Sequence, residues 1–146
     1  MEKEGYDKTL SSMIVSSNFN DIGEWIFYIL VNKFKCYNPE HSKRGLWYYK
    51  DENSVWKHDK YCTKLLYAIM KDVYHTLLYH IHDYTTKMQT MEQTDPSYEA
   101  MRKGASSMAV IGVHFRETKK ALSLIEELKY IFYDEDFKPD INQIVI

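Results

Sequence analysis

Leu46-Trp47-Tyr48-Tyr49-Lys50, Asp51-Glu52-Asn53 and Ser54-Val55-Trp56-Lys57, followed over residues 59–84 by a run without glycine or proline, decide the fold. Two aromatic or β-branched stretches around three turn-forming residues predict a β-hairpin. Strand alternation puts Trp47 and Tyr49 on one face and Leu46 and Tyr48 on the other. A two-stranded ribbon is marginal by itself, so one face is expected to pack on helices. The run that follows supplies the longest of them. Asp59 is placed as its N-cap, and Leu66, Ile69, Met70, Val73, Leu77, Ile81 and Tyr84 recur at helical spacing.

Upstream, residues 1–19 lack clean periodicity, interrupted by Ser11-Ser12 and Ser16-Ser17, and read as a partly ordered lead-in to a single domain over residues 20–146. Asp21 and Glu24 have capping-box spacing, and Ile22, Trp25, Ile26, Ile29, Leu30 and Phe34 follow on one helical face, with Trp25 as its anchor. Pro39 and His41-Ser42-Lys43-Arg44-Gly45 form a loop. Downstream, Asp95-Pro96 is an N-cap with proline at the first helical position. Tyr98, Met101, Ala105, Met108, Gly112 and Phe115 continue it as one helix, or as two with a break near Gly104, where glycine costs about 1 kcal/mol. A last helix from about Arg116 carries Ala121, Leu122, Ile125, Leu128 and Phe132, and residues 141–146 read as the start of a strand. The expected class is mainly α, with four or five helices and one small β-hairpin.

A chain of 146 residues fits one domain, burying roughly 68–70% of the surface its unfolded form exposes. The hydrophobic share of 45% and charged share of 27% exclude a disordered chain and a disulfide-built scaffold. Thirteen Tyr, six Phe and three Trp supply core volume and, through Tyr and Trp, surfaces on which bases or partners stack. A net charge of −2 speaks against coating DNA with a uniform positive field. The charge is uneven, however: residues 33–64 hold eight Lys or Arg against four acids, and residues 126–140 six acids against two Lys. That polarity favours a local nucleic-acid track or head-to-tail subunit packing. Two cysteines without metal spacing, and no secretory h-region, point to a reducing intracellular compartment. No apolar stretch approaches the roughly 20 residues a membrane span needs, so no membrane partner is expected.

Few residues carry chemistry. His75, His80 and His82 share a helix, but spacings of five and two diverge around it, so no metal site is expected. Cys62 near His58 has the residue types of a nucleophile and base, with burial in the core as the default. Asp134-Glu135-Asp136 reads as a solvated turn. The notable constellation is Lys60, Lys64, Tyr67 and Lys71 at i, i+4, i+7 and i+11, one helical stripe away from the apolar face. With Lys43, Arg44 and Lys57 it makes a basic track with interleaved aromatics, the pattern of backbone-tracking nucleic-acid binders. Trp25, Trp47 and Trp56 are assigned structural roles.

The strand Trp47-Tyr48-Tyr49, the turn, the second strand Val55-Trp56-Lys57 and the long helix resemble the small domain that precedes the superfamily 3 helicase in primase-helicases of poxviruses, giant viruses, phages and plasmids. Phe132-Tyr133-Asp134-Glu135-Asp136-Phe137 and Asp140-Ile141-Asn142 are similar to the segment leading toward that helicase. The resemblance implies a DNA-replication protein, viral or phage-like, with a primase upstream and a hexameric ATP-driven motor downstream. The chain itself has no Gly-x4-Gly-Lys-Ser/Thr loop, so no cofactor and no catalytic residue are expected within it. The resulting expectation is an accessory collar module that aids hexamer formation and couples primase to helicase, in the host cytoplasm or at a viral replication site. Its partners would be the adjacent domains, other copies and DNA. The alternative is a stand-alone nucleic-acid-binding module, winged-helix-like, with the hairpin as wing.

Overall fold

The computed structural model describes residues 3–139. The fold is mainly α-helical around a small antiparallel sheet. Helix α1 (Lys3–Ser16) stands where a partly ordered lead-in was expected. It buries Leu10, Met13 and Ile14 in the main core; the Ser17 N–H still reaches the Met13 carbonyl at 2.8 Å, and the left-handed φ of 55° at Ser17 then turns the chain out of the helix. Helix α2 (Phe19–Leu30) begins earlier than the Asp21–Glu24 spacing implies, because Asn18 Oδ1 is the cap, accepting the Asp21 N–H at 2.8 Å. Trp25 is fully buried and stacks on Phe115.

The helix stops before Phe34, which opens strand β1 (Phe34–Asn38). The expected two-stranded hairpin is therefore a three-stranded sheet, ordered β1, β2 (Leu46–Lys50), β3 (Trp56–His58). Cys36 pairs with Trp47 and Tyr49 with Lys57. The alternation holds: Phe34, Cys36, Trp47 and Tyr49 face the helical core, while Tyr37, Leu46, Tyr48 and Trp56 gather around Phe137. Phe137 arrives because residues 132–137 cross β1, with Cys36 bridging Tyr133 in parallel and Lys35 pairing with Asp134 at 2.9 Å. Asp134 is thus a structural clamp in what read as a solvated acidic turn.

The stretch expected as one helix from Asp59 starts with a kink. A 3-10 turn (Lys60–Cys62) holds Tyr61 at φ 62° and Cys62 at φ 58°, both left-handed. The buried Asp59 carboxylate reaches over this turn and accepts the N–H groups of Lys64 and Leu65, each at 2.9 Å. Beyond it, α3 (Thr63–Ala68), a π-helical turn (Ile69–Val73) and α4 (Tyr74–Met88) run on as one rod. Helix α5 (Pro96–Arg116), capped by Asp95, passes unbroken through Gly104. A Cβ there would stand 2.7 Å from the Tyr84 ring, so glycine permits close approach to α4. Helix α6 (Thr118–Ile131) closes the core with Ala121, Leu124, Ile125 and Leu128. The strand expected over residues 141–146 lies outside the described residues. Among the described residues no helix is long and apolar enough to cross a membrane.

Candidate nucleic-acid interface

The kink at Tyr61 and Cys62 divides the predicted basic stripe. Helical spacing from Lys60 to Lys64 presumes a continuous helix, and the left-handed residues between them turn Lys60 out of line. Six of the seven predicted contact residues, all but Lys71, consequently fall into two depressions, between which the chain crosses: Lys57 and Lys64 line one, and His58 through Cys62 the other.

The first is a groove of about 360 Å³ between the sheet and α3, holding Lys57, Lys64 and Tyr67 together with Lys33, Lys50 and Tyr49. Lys71 adjoins it, donating to the Tyr67 hydroxyl at 3.0 Å. Its cations are largely engaged already. Lys57 pairs with Asp51 at 2.9 Å, Lys50 lies over the Trp56 ring at 5.2 Å, and Lys64 lies over Tyr49 at 5.5 Å. Asp51, Glu52 and Asp72 share the lining. Backbone N–H groups from Val55 and Asn53, and the Lys57 ammonium, hold the Asp51 carboxyl below the usual carboxylate range.

The second is a cleft of about 430 Å³ between the loop at residues 41–46 and the kink at residues 58–62. It receives Lys43, Arg44 and Lys60, with His41, His58 and the exposed ring of Tyr61. Trp47 fixes the loop by donating its indole N–H to the Arg44 carbonyl at 2.7 Å. Arg44 Nε is buried without a hydrogen-bond partner. The one acid in the lining, Asp59, has both oxygens on backbone N–H groups, and burial pushes its carboxyl up against the pull of those bonds. Burial, with His41 and Lys60 nearby, holds the His58 imidazole below its ordinary value. Cys62, weighed as a nucleophile, is buried, and its thiol is pushed up to about 12 by that burial and by Asp59. Such a thiol keeps its proton at neutral pH.

A third depression, of about 450 Å³ between α2, β1 and residues 131–135, brings in Lys35 as its one cation, already paired with Asp134. The histidines of α4 go separate ways. His75 and His82 are exposed, whereas His80 turns inward, its Nε2 2.6 Å from the Tyr6 hydroxyl and its ring edge-on to Trp25. Sequence reasoning missed Lys33, Lys50 and Tyr49 as groove residues, because β1 was not foreseen and only its pairing with β2 carries the groove wall around to α3. No family model, curated protein or solved structure matches this chain.

Proposed function

We propose that this chain is a non-catalytic accessory module of a DNA-replication primase-helicase, one that contacts nucleic acid beside the β2–β3 hairpin and packs against neighbouring subunits in a collar. The observation that carries the nucleic-acid role is the gathering of lysines, Arg44 and tyrosines on both sides of residues 57–64. Cationic side chains interleaved with aromatic rings suit a single strand, whose phosphates need neutralising and whose bases need stacking surfaces. The replication context rests on the sequence resemblance to the domain preceding superfamily 3 helicases. The collar role draws support from apolar side chains left in water where α1 meets α2 and along α5: Val15 is 87% exposed, Val110 65% and Phe19 40%.

Fluorescence anisotropy with a labelled oligo(dT) across a salt series tests the nucleic-acid role. Expected is binding whose log-log salt slope falls by about 0.7 for each of Lys60, Lys64 or Lys71 replaced by Gln, the value for single strands. Absence of binding at low salt removes it. Light scattering of the parent with and without this domain tests the collar role, and a parent that still forms hexamers after the deletion removes that.

A further inference from the structure

The cleft beside Arg44 has features that general basicity does not account for. A guanidinium with a buried, unpartnered Nε is costly unless something completes its hydrogen bonding. Among the described residues no carboxylate pairs with it, and the nearby Asp59 is occupied by its two backbone donors. Opposite it, the chain holds two consecutive non-glycine residues, Tyr61 and Cys62, in left-handed conformation, and the loop wall turns at Gly45 with φ 85°. Strain of this kind persists where the surroundings demand a particular shape. Here the shape sets Lys60 and the Tyr61 ring, which is 79% exposed, into the same cleft as Arg44. The volume of about 430 Å³ falls in the range of about 300–1,000 Å³ typical of small-ligand sites.

We propose that this cleft is a phosphate-binding site, taking the terminal phosphate of a nucleotide or of a nucleic-acid strand. The Arg44 fork holds two phosphoryl oxygens, since planar guanidinium geometry matches them in pairs. Lys60 neutralises the remaining charge. Tyr61 offers its ring to the sugar and base. This deepens the nucleic-acid reading by naming the group recognised, and it stands apart from the sheet–α3 groove, which shares none of these residues.

The test is nitrogen-15 NMR of the chain, following the Arg44 Nε–H and the amides of residues 60–62 during titration with inorganic phosphate, thymidine monophosphate and thymidine. Both phosphates should shift the Arg44 Nε–H signal and thymidine should not. Arg44→Gln should weaken monophosphate binding at least tenfold and Lys60→Gln several-fold. Lys60 is an exposed side chain, so its variant serves even if Arg44→Gln fails to fold. Oligo(dT) with and without a 5′-phosphate separates the sources. A preference for the phosphorylated strand that vanishes in either variant assigns the strand end, and equal affinity with monophosphate binding retained assigns the free nucleotide. No shift at Arg44 with either phosphate, or monophosphate affinity unchanged in both variants, overturns the site even if the oligonucleotide still binds. Monophosphate binding at Arg44 without oligonucleotide binding leaves the site standing and removes the nucleic-acid reading alone.

Discussion

The sheet–α3 groove and the Arg44 cleft differ little in their supply of cationic side chains, and in the cleft too Lys43 pairs with Glu126 at 3.3 Å and Lys60 lies over the Tyr61 ring at 5.1 Å; the difference lies in Arg44 and in the number of acids on each wall. In the groove, Lys57 meets Asp51, Lys50 and Lys64 lie over aromatic rings, and three acids share the wall. In the cleft, Arg44 has no carboxylate partner among the described residues, and the single acid is turned toward backbone N–H groups. Counting lysines along a chain estimates neither potential. What attracts an anion is charge left uncompensated in a partly desolvated place, which depends on contacts between elements distant in sequence.

The largest expected effect comes from the residue that holds the two regions in register. Asp59 lines the cleft and caps the helix that carries Lys64, so Asp59→Ala leaves two backbone donors unpaired. The unfolding free energy should drop by about 2 kcal/mol. A urea series that shows less than about 0.5 kcal/mol would mean that the kink supports itself. A smaller effect should come from releasing a compensated charge. Asp51→Asn keeps the acceptor for the turn N–H groups but removes the charge facing Lys57, so oligonucleotide affinity at low salt should rise about two- to threefold while monophosphate binding in the cleft stays put. An equal rise for both ligands would erase the distinction between the regions.

The smallest effect is a pH dependence. Burial holds the imidazoles of His58 and His80 below their ordinary 6.5. In the window below 6.5 the unfolded chain therefore takes up protons that the folded chain declines, so stability is complete above 6.5 and falls as the pH drops through that window. His80 faces the Tyr6 hydroxyl and Trp25, with Asp83 and Asp7 opposing its shift, so His80→Phe should flatten part of the decline in urea midpoints. Urea midpoints that decline equally in the variant would take His80 out of the pH dependence.

Much of the helical architecture was legible, because α5 and α6 carry long apolar repeats at helical spacing and Asp95-Pro96 marks a start by local chemistry alone. The two faces of β2 were legible for the same reason, alternation being local. Helix α1 was not: Leu10, Met13 and Ile14 are its buried positions, and they acquire meaning only once α2 and α5 stand against them. Strand β1 was hidden because Phe34 continues the helical phase of Leu30, and its partner lies across the loop in β2. The kink was invisible in principle, since neither Tyr61 nor Cys62 belongs to the residue types that favour left-handed backbone. Its consequence is that residues expected on one continuous stripe are parted at the kink, Lys60 on one side and Lys64 and Tyr67 on the other.

The crossing of residues 132–137 over β1 also bears on which backbone edges the fold leaves open. An open sheet edge is a template on which another chain adds a strand, and exposed edges invite aggregation. Cys36 donates to the Phe132 carbonyl and accepts from the Asp134 N–H, so the outer rim of β1 is already engaged at its centre by the chain's own backbone. The opposite rim belongs to β3, three residues long and carrying a lysine at its centre. Copies that assemble through the described residues are thereby steered away from edge-to-edge β pairing and toward contacts made by helix faces.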